Sequence, residues 1–204
     1  MILDFFRKKK IQRDLASGFP SELSSDVEKV VLALRKNISG IDESGLIWKL
    51  WSGESVSIPY RINISQDMFG SYRSFSKTQE IIMHCIYSRS LEGFVREGHL
   101  KWLLNTGADC YEWVKPYVVS LSGDYVMEIV EALYEKLDTE KIPEYRAFCK
   151  LNFENIRLLH AKMISYWNEF YRDRCYLYKD YIGKRLFSEF FGMRKSGQKQ
   201  IEIK

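Results

Sequence analysis

The chain has 204 residues, 46% hydrophobic and 28% charged, with a formal net charge of +4. That balance is ordinary for a folded domain and excludes a chain disordered along its whole length. No window reaches the roughly 18 uninterrupted apolar residues of a membrane helix, so a membrane partner is not expected.

The charge is unevenly spread. Residues 1–13 carry five basic groups beside Asp4, and residues 157–204 carry eleven basic against five acidic. Acidic residues dominate 108–156, so an acidic middle lies between basic ends. Met1 to Lys10 places Ile2, Leu3, Phe5 and Phe6 ahead of the basic run Arg7–Lys10, the reverse of an export signal. A cytoplasmic location is therefore expected. Cys85, Cys110, Cys149 and Cys175 show no CxxC or other metal-ligand spacing and read as free thiols. Residues 1–19 read as peripheral to one helical domain spanning 1–192, and 193–204 as a disordered basic tail.

The first strong helix follows Ser25, with Glu28 placed to complete a capping box and Val27, Val30, Val31 and Leu34 on one face. Asn37 to Gly40 should end it. From Val56 to Ile64, apolar residues alternate with Ser57, Pro59, Arg61 and Asn63, the period of a half-buried strand. With the apolar run Leu46–Trp51 and the turn Ser52-Gly53-Glu54, this predicts one small β-hairpin near residues 46–64, Pro59 lying on its edge.

From Ser76 onward the pattern is helical. Ser76 and Gln79 form a second capping box ahead of Ile82, Cys85 and Ile86. Leu91, Phe94, Val95 and Trp102 mark a further helix closed by Asn105-Thr106-Gly107. Pro116 suits the first turn of a helix carrying Tyr117, Val118 and Leu121. After a Ser122-Gly123-Asp124 break, Val126, Ile129, Val130, Leu133 and Leu137 form the cleanest stripe in the chain. Two more helices are predicted. One spans about 153–171 with Ile156, Leu159, Met163, Trp167 and Phe170 inward; the other spans about 177–191 with Tyr181, Leu186, Phe187 and Phe190 inward.

The runs RSLEGFVREGHLKWLL and YEWVKPYVVSLSGDYVMEIVEALYEKL, within residues 89–137, resemble the helix pairs of HEAT-type repeats. That resemblance implies stacked antiparallel helix pairs with a concave binding surface. The expected fold class is thus mainly α: antiparallel helix pairs, HEAT-like or an irregular helical bundle, with one hairpin. Unequal spacing and the hairpin depart from the repeat pattern.

No phosphate loop, dinucleotide fingerprint, nucleophile elbow or zinc-binding helix motif occurs, so no cofactor, metal or catalytic residue is assigned. His84 neighbours Cys85, but adjacent helical residues point about 100° apart. Arg61, Arg89, Glu92, Arg96 and Glu97 suggest a salt-bridge ladder, or else the polar floor of a cleft, with Arg89, Glu92 and Arg96 on one side of a helix starting near Ser88.

Two segments could meet a partner. Glu128, Glu131 and Glu135 form an acidic ridge opposite the apolar stripe. In the aromatic and basic segment 166–185, Tyr166, Tyr171 and Tyr178 interleave with Arg172 and Arg174. Both suit a non-enzymatic module that binds a protein partner by surface complementarity, a style that resembles bacterial immunity or adaptor proteins. The alternative is a nucleic-acid-binding protein on a HEAT-like scaffold, its tyrosines stacking on bases and its arginines meeting phosphates.

Overall fold

The stripe Val27, Val30, Val31 and Leu34 is buried along α2 (Ser24–Leu34), which follows α1 (Ile2–Ala16). A computed structural model describes residues 2–42, 44–65 and 74–193, and the predicted tail beyond Met193 lies outside them. The Ser25–Glu28 capping box does not form. The chain enters α2 through a 3-10 turn at Ser21–Leu23, where Leu23 N–H donates to Pro20 O and Ser24 N–H to Ser21 O, so backbone acceptors take the role of a side-chain cap.

The molecule is mostly helical with a small antiparallel β part divided between two sheets. The predicted hairpin exists as β2 (Leu46–Lys49) paired with β3 (Ser55–Ile58), closed by Gly53 at φ 89°. The alternation from Val56 to Ile64 is not one strand. It breaks at Pro59, which has no N–H to donate to a ladder, and β4 (Arg61–Ile64) turns away to pair with β1 (Ile38–Asp42). Asn37 to Gly40 thus leads from the helix into a strand. A period of two registers burial on one face and is silent about which partner supplies it.

β4 also holds the helical part of the molecule. Ile62 N–H donates to Arg89 O at 2.7 Å and Leu91 N–H to Ile62 O at 3.1 Å. Arg89 to Leu91 connect α3 (Lys77–Tyr87) to α4 (Gly93–Asn105). The Ser76–Gln79 capping box forms in both directions, and Gln79 Nε2 goes on to donate to Asp26 on α2 at 2.6 Å. Because α4 begins at Gly93, later than the pattern suggests, Leu91 and Phe94 sit at its outer edge and are exposed, while Val95, Leu100, Leu103 and Leu104 are buried.

α5 (Lys115–Ser120) carries Pro116 in its first turn, and α6 (Met127–Lys136) buries Ile129, Val130 and Leu133, with Leu137 just beyond. α7 (Ile142–Leu151), with Pro143 in its first turn, has no counterpart in the sequence reading; Tyr145, Phe148 and Cys149 anchor it. α8 (Phe153–Tyr166) buries Ile156, Leu159 and Met163, then widens into a π turn at Trp167–Tyr171. A π turn shifts helical phase. Phe170, expected inward, is consequently 56% exposed, whereas Trp167 and Tyr171 pack against the core. The last expected helix is shorter, α9 (Ile182–Glu189), preceded by a 3-10 turn at Tyr178–Asp180, with Tyr181, Leu186, Phe187 and Phe190 all buried.

Gly45 explains how tightly the hairpin closes. A Cβ there would lie 2.0 Å from Ile58 O, whereas one at Gly40 would meet nothing within 4 Å. Gly45→Ala is therefore expected to destabilise the protein by about 1–3 kcal/mol, as overpacking does. Gly40→Ala should change stability by no more than about 0.5 kcal/mol, and urea denaturation of the two variants side by side checks the contrast.

Candidate interaction surface and the buried arginine hub

The break Ser122-Gly123-Asp124 delivers its aspartate into the interior. Asp124 is 2% exposed, and both its oxygens are occupied. Arg96 Nη2 donates to Oδ1 at 2.8 Å and Arg96 Nε to Oδ2 at 2.9 Å; Arg61 Nη2 donates to Oδ2 at 2.8 Å, and Val126 N–H to Oδ1 at 3.1 Å. Bidentate guanidinium bonding of this kind is the strongest ion-pair geometry available to a carboxylate. Arg96 Nη1 donates further to Ser90 O and Leu91 O.

A third arginine joins them. Arg89, also buried, donates from Nε to Pro59 O at 3.1 Å and from Nη2 to Tyr60 O at 2.6 Å, the point where the chain leaves one sheet for the other. Burial, aided by the Arg61 and Arg96 cations and opposed by Asp124, lowers its pKa to about 9. The sequence identified these three arginines as a cluster but not their counter-ion. Glu92 is exposed at the start of α4, and Glu97 pairs with Lys101 at 2.5 Å, so neither belongs to the hub. Asp124 gave no distinguishing signal, because a Ser-Gly-Asp break reads identically in a solvated turn.

An aromatic surface lies over this hub. Tyr125 follows Asp124 directly and is 44% exposed, with the Arg96 guanidinium 5.5 Å from its ring. Its ring meets Tyr166 edge-on at 6.1 Å, and Tyr166 stacks on Phe170 at 6.1 Å. Leu91 and Phe94 are exposed on the same corner, where Gly93 abuts Val126.

The other expected contact residues divide. Tyr171 is half-buried, its hydroxyl accepting from Met127 N–H at 3.1 Å and donating to Tyr125 O at 2.5 Å. Tyr178 is also half-buried, packed on Trp167 at 5.0 Å with its hydroxyl 3.4 Å from His160 Nε2. Arg172 and Arg174 are exposed beyond the π turn, the Arg172 guanidinium lying 6.0 Å from Trp167 and 5.9 Å from Tyr176. On α6, Glu128 and Glu135 are exposed and Glu131 is half-buried.

Away from this corner, His84 and His99 meet across α3 and α4 with Nδ1 atoms 2.8 Å apart, so one donates and the other accepts. His84 stacks on Trp102 at 3.7 Å and His99 on Tyr87 at 4.7 Å. Burial first, and for His84 also the nearby His99 and Lys77, lowers their pKa values to about 3 and about 4. Adjacency to Cys85 gave no sign of this pairing, and Cys85 is buried as a free thiol. All four cysteines are free thiols. Among the described residues, no group of three or more His, Cys, Asp or Glu is arranged to hold a metal ion, and no helix is long and apolar enough to cross a membrane.

Asp124→Asn keeps the shape and removes the charge that two buried arginines share. We expect it to cost about 3–5 kcal/mol in chemical denaturation, the penalty for breaking a buried ion pair, whereas Glu128→Gln on the exposed face should change stability by less than about 0.5 kcal/mol. The histidine pair sets a pH dependence. Both groups have depressed pKa values in the fold, so their contribution is complete above the unfolded value of 6.5 and is lost as pH falls from there towards about 4 and then about 3. Thermal stability should therefore decline between pH 7 and pH 5, and replacing His99 with Gln should flatten that slope.

No protein-family model, curated protein or solved structure matches this chain, so its functional reading rests on the side chains described above.

Proposed function

We propose that this chain is a non-enzymatic protein-binding module of the cytoplasm that docks one partner by surface complementarity, in the manner of bacterial immunity or adaptor proteins. The observation that carries this reading is an aromatic series in which half-buried Tyr166 joins exposed Tyr125 to exposed Phe170, flanked by Leu91 and Phe94, above a buried ionic hub. Exposed aromatic side chains of this size are the usual anchors of protein interfaces. Tyr171 supports them by binding the backbone on both sides of Val126, so little freedom remains to be lost on docking. In this reading the packing of α3 on α4, α4 on α6 and α6 on α9 acts as a HEAT-like series of antiparallel helices within one domain over 1–192. Glu128, Glu131 and Glu135 border the anchors and favour a partner with basic groups at its rim.

A second reading has its own observation. Tyr176 is 73% exposed with the Arg172 guanidinium beside its ring, and Arg174 is nearby in sequence, a pattern that single-stranded nucleic acid could use.

The test compares the wild-type chain with Phe170→Ala combined with Tyr125→Ala in capture from nuclease-treated lysate of the source cell. We expect one stoichiometric protein on the wild type and at least a tenfold loss of affinity in the variant, as hot-spot truncation of about 1.4 kcal/mol or more gives. Retention that vanishes with nuclease, falls steeply with salt and depends on Arg172 and Arg174 instead would establish the nucleic-acid reading.

A further inference from the structure

Arg89 is 2% exposed, yet only two of its three guanidinium nitrogens have partners. Nε and Nη2 serve Pro59 O and Tyr60 O, while Nη1 is buried with no hydrogen-bond acceptor in the protein. A buried N–H on a charged group left without an acceptor is costly, so such a group points to something that binds it. Arg89 lines a small, largely enclosed cavity between the hairpin and α8, together with Tyr60, Ser44, Ser120 and Lys162. The Lys162 ammonium lies 4.2 Å from the centre of the Tyr60 ring, which places a second cation at the same cavity.

The charges around the cavity do not balance. Arg61, Arg89, Arg96 and Lys162 face two carboxylates, Asp124 and Asp42. Asp124 is fully engaged by Arg61, Arg96 and Val126 N–H. Asp42 is exposed, accepts from the Ser44 N–H at 2.9 Å and its hydroxyl at 2.7 Å, and acts on Arg61 and Lys162. Among the described residues no carboxylate bonds Arg89. The low pKa of its guanidinium has the same origin, a buried cation beside other cations.

We propose that this cavity binds one small monovalent anion of halide size, chloride being the abundant example, between Arg89 Nη1 and the Lys162 ammonium. Size selects the class. The cavity has a volume of about 20 Å³, which suits a single compact occupant such as one water molecule or one monatomic ion. Charge separates the two occupants that fit. A water molecule would accept from Nη1 but leave the excess positive charge in place, whereas an anion answers both. Gly45, which lines the cavity and has no space for a Cβ, keeps its wall close to the Ile58 backbone. The bound ion would join the α3–α4 connection, which carries Arg89, to α8, which carries Lys162.

The experiment starts with the full chain in sodium gluconate and exchanges gluconate for chloride at constant ionic strength while Tm is followed. One-site binding to the folded state predicts a saturating rise in Tm, reproduced by bromide and lacking a saturating part in sulfate. Lys162→Met, a change at an exposed position, should move the half-saturation point at least tenfold higher in chloride, and Arg89→Lys should do the same. A bromide-soaked crystal should carry an anomalous peak beside Arg89 Nη1. A Tm indifferent to the exchange, a saturating rise that Lys162→Met leaves unchanged, or the absence of bromide at Arg89 would each overturn the proposal and leave water as the occupant.

Discussion

One buried carboxylate constrains most of this molecule. Asp124 is held by Arg61 from a strand, by Arg96 from a helix and by the backbone entering α6, so three elements far apart in sequence must arrive together or leave charges unpaired. Desolvating such a group is expensive, and an apolar cluster of the same volume is often at least as stable. What the ionic cluster adds here is registration. Arg96 also fixes the carbonyls of Ser90 and Leu91, and Arg89 fixes those of Pro59 and Tyr60. These are the places where the chain passes from helix to helix and from sheet to sheet, and the first is held by a short backbone bridge to Ile62 as well.

The aromatic surface inherits that rigidity. Tyr125 is the next residue after Asp124, so its backbone is located by the hub and its carbonyl by the Tyr171 hydroxyl. Tyr171 reaches that carbonyl because the π turn at Trp167–Tyr171 rotates it towards the core while rotating Phe170 out to solvent. The same local defect therefore supplies both an exposed ring and the support beneath its neighbour. π turns are over-represented at functional positions, and the geometry here gives that tendency a mechanical content.

The legible parts of the sequence were those in which burial is periodic. The α2 and α6 stripes, the Ser76 capping box and the β2–β3 hairpin all follow from spacing, since each buries one face against a continuous neighbour. What escaped notice depended on events without local periodicity. Phe170 was misplaced because helical phase changes by insertion of a wider turn, and the 56–64 alternation concealed a change of partner at Pro59. α7 begins after a 3-10 turn capped by Asp138 and presents only three buried side chains, too few to stand out. For the hub, the arginines were visible as a group, but the nearby Glu92 and Glu97 were the obvious local partners, and the true one lay on the far side of α5.

The arrangement of charge at the surface bears on which partner the proposed docking face would accept. Tyr171 lies within electrostatic reach of both Glu128 and Arg174, so acidic and basic side chains border the aromatic corner from opposite sides. A polyanion approaching Arg172 and Arg174 would bring phosphates towards Glu128, and Glu131 stands on the same helix one turn further along. Like charges brought together at an interface oppose association and suppress wrong partners. A folded protein can present both signs in register with such a border, whereas a phosphate backbone offers only one. The basic excess over 157–204, read alone, favours nucleic acid; Arg172 and Arg174, bordered by the α6 carboxylates, fit the proposed protein partner that meets the exposed rings with a mixed-charge rim.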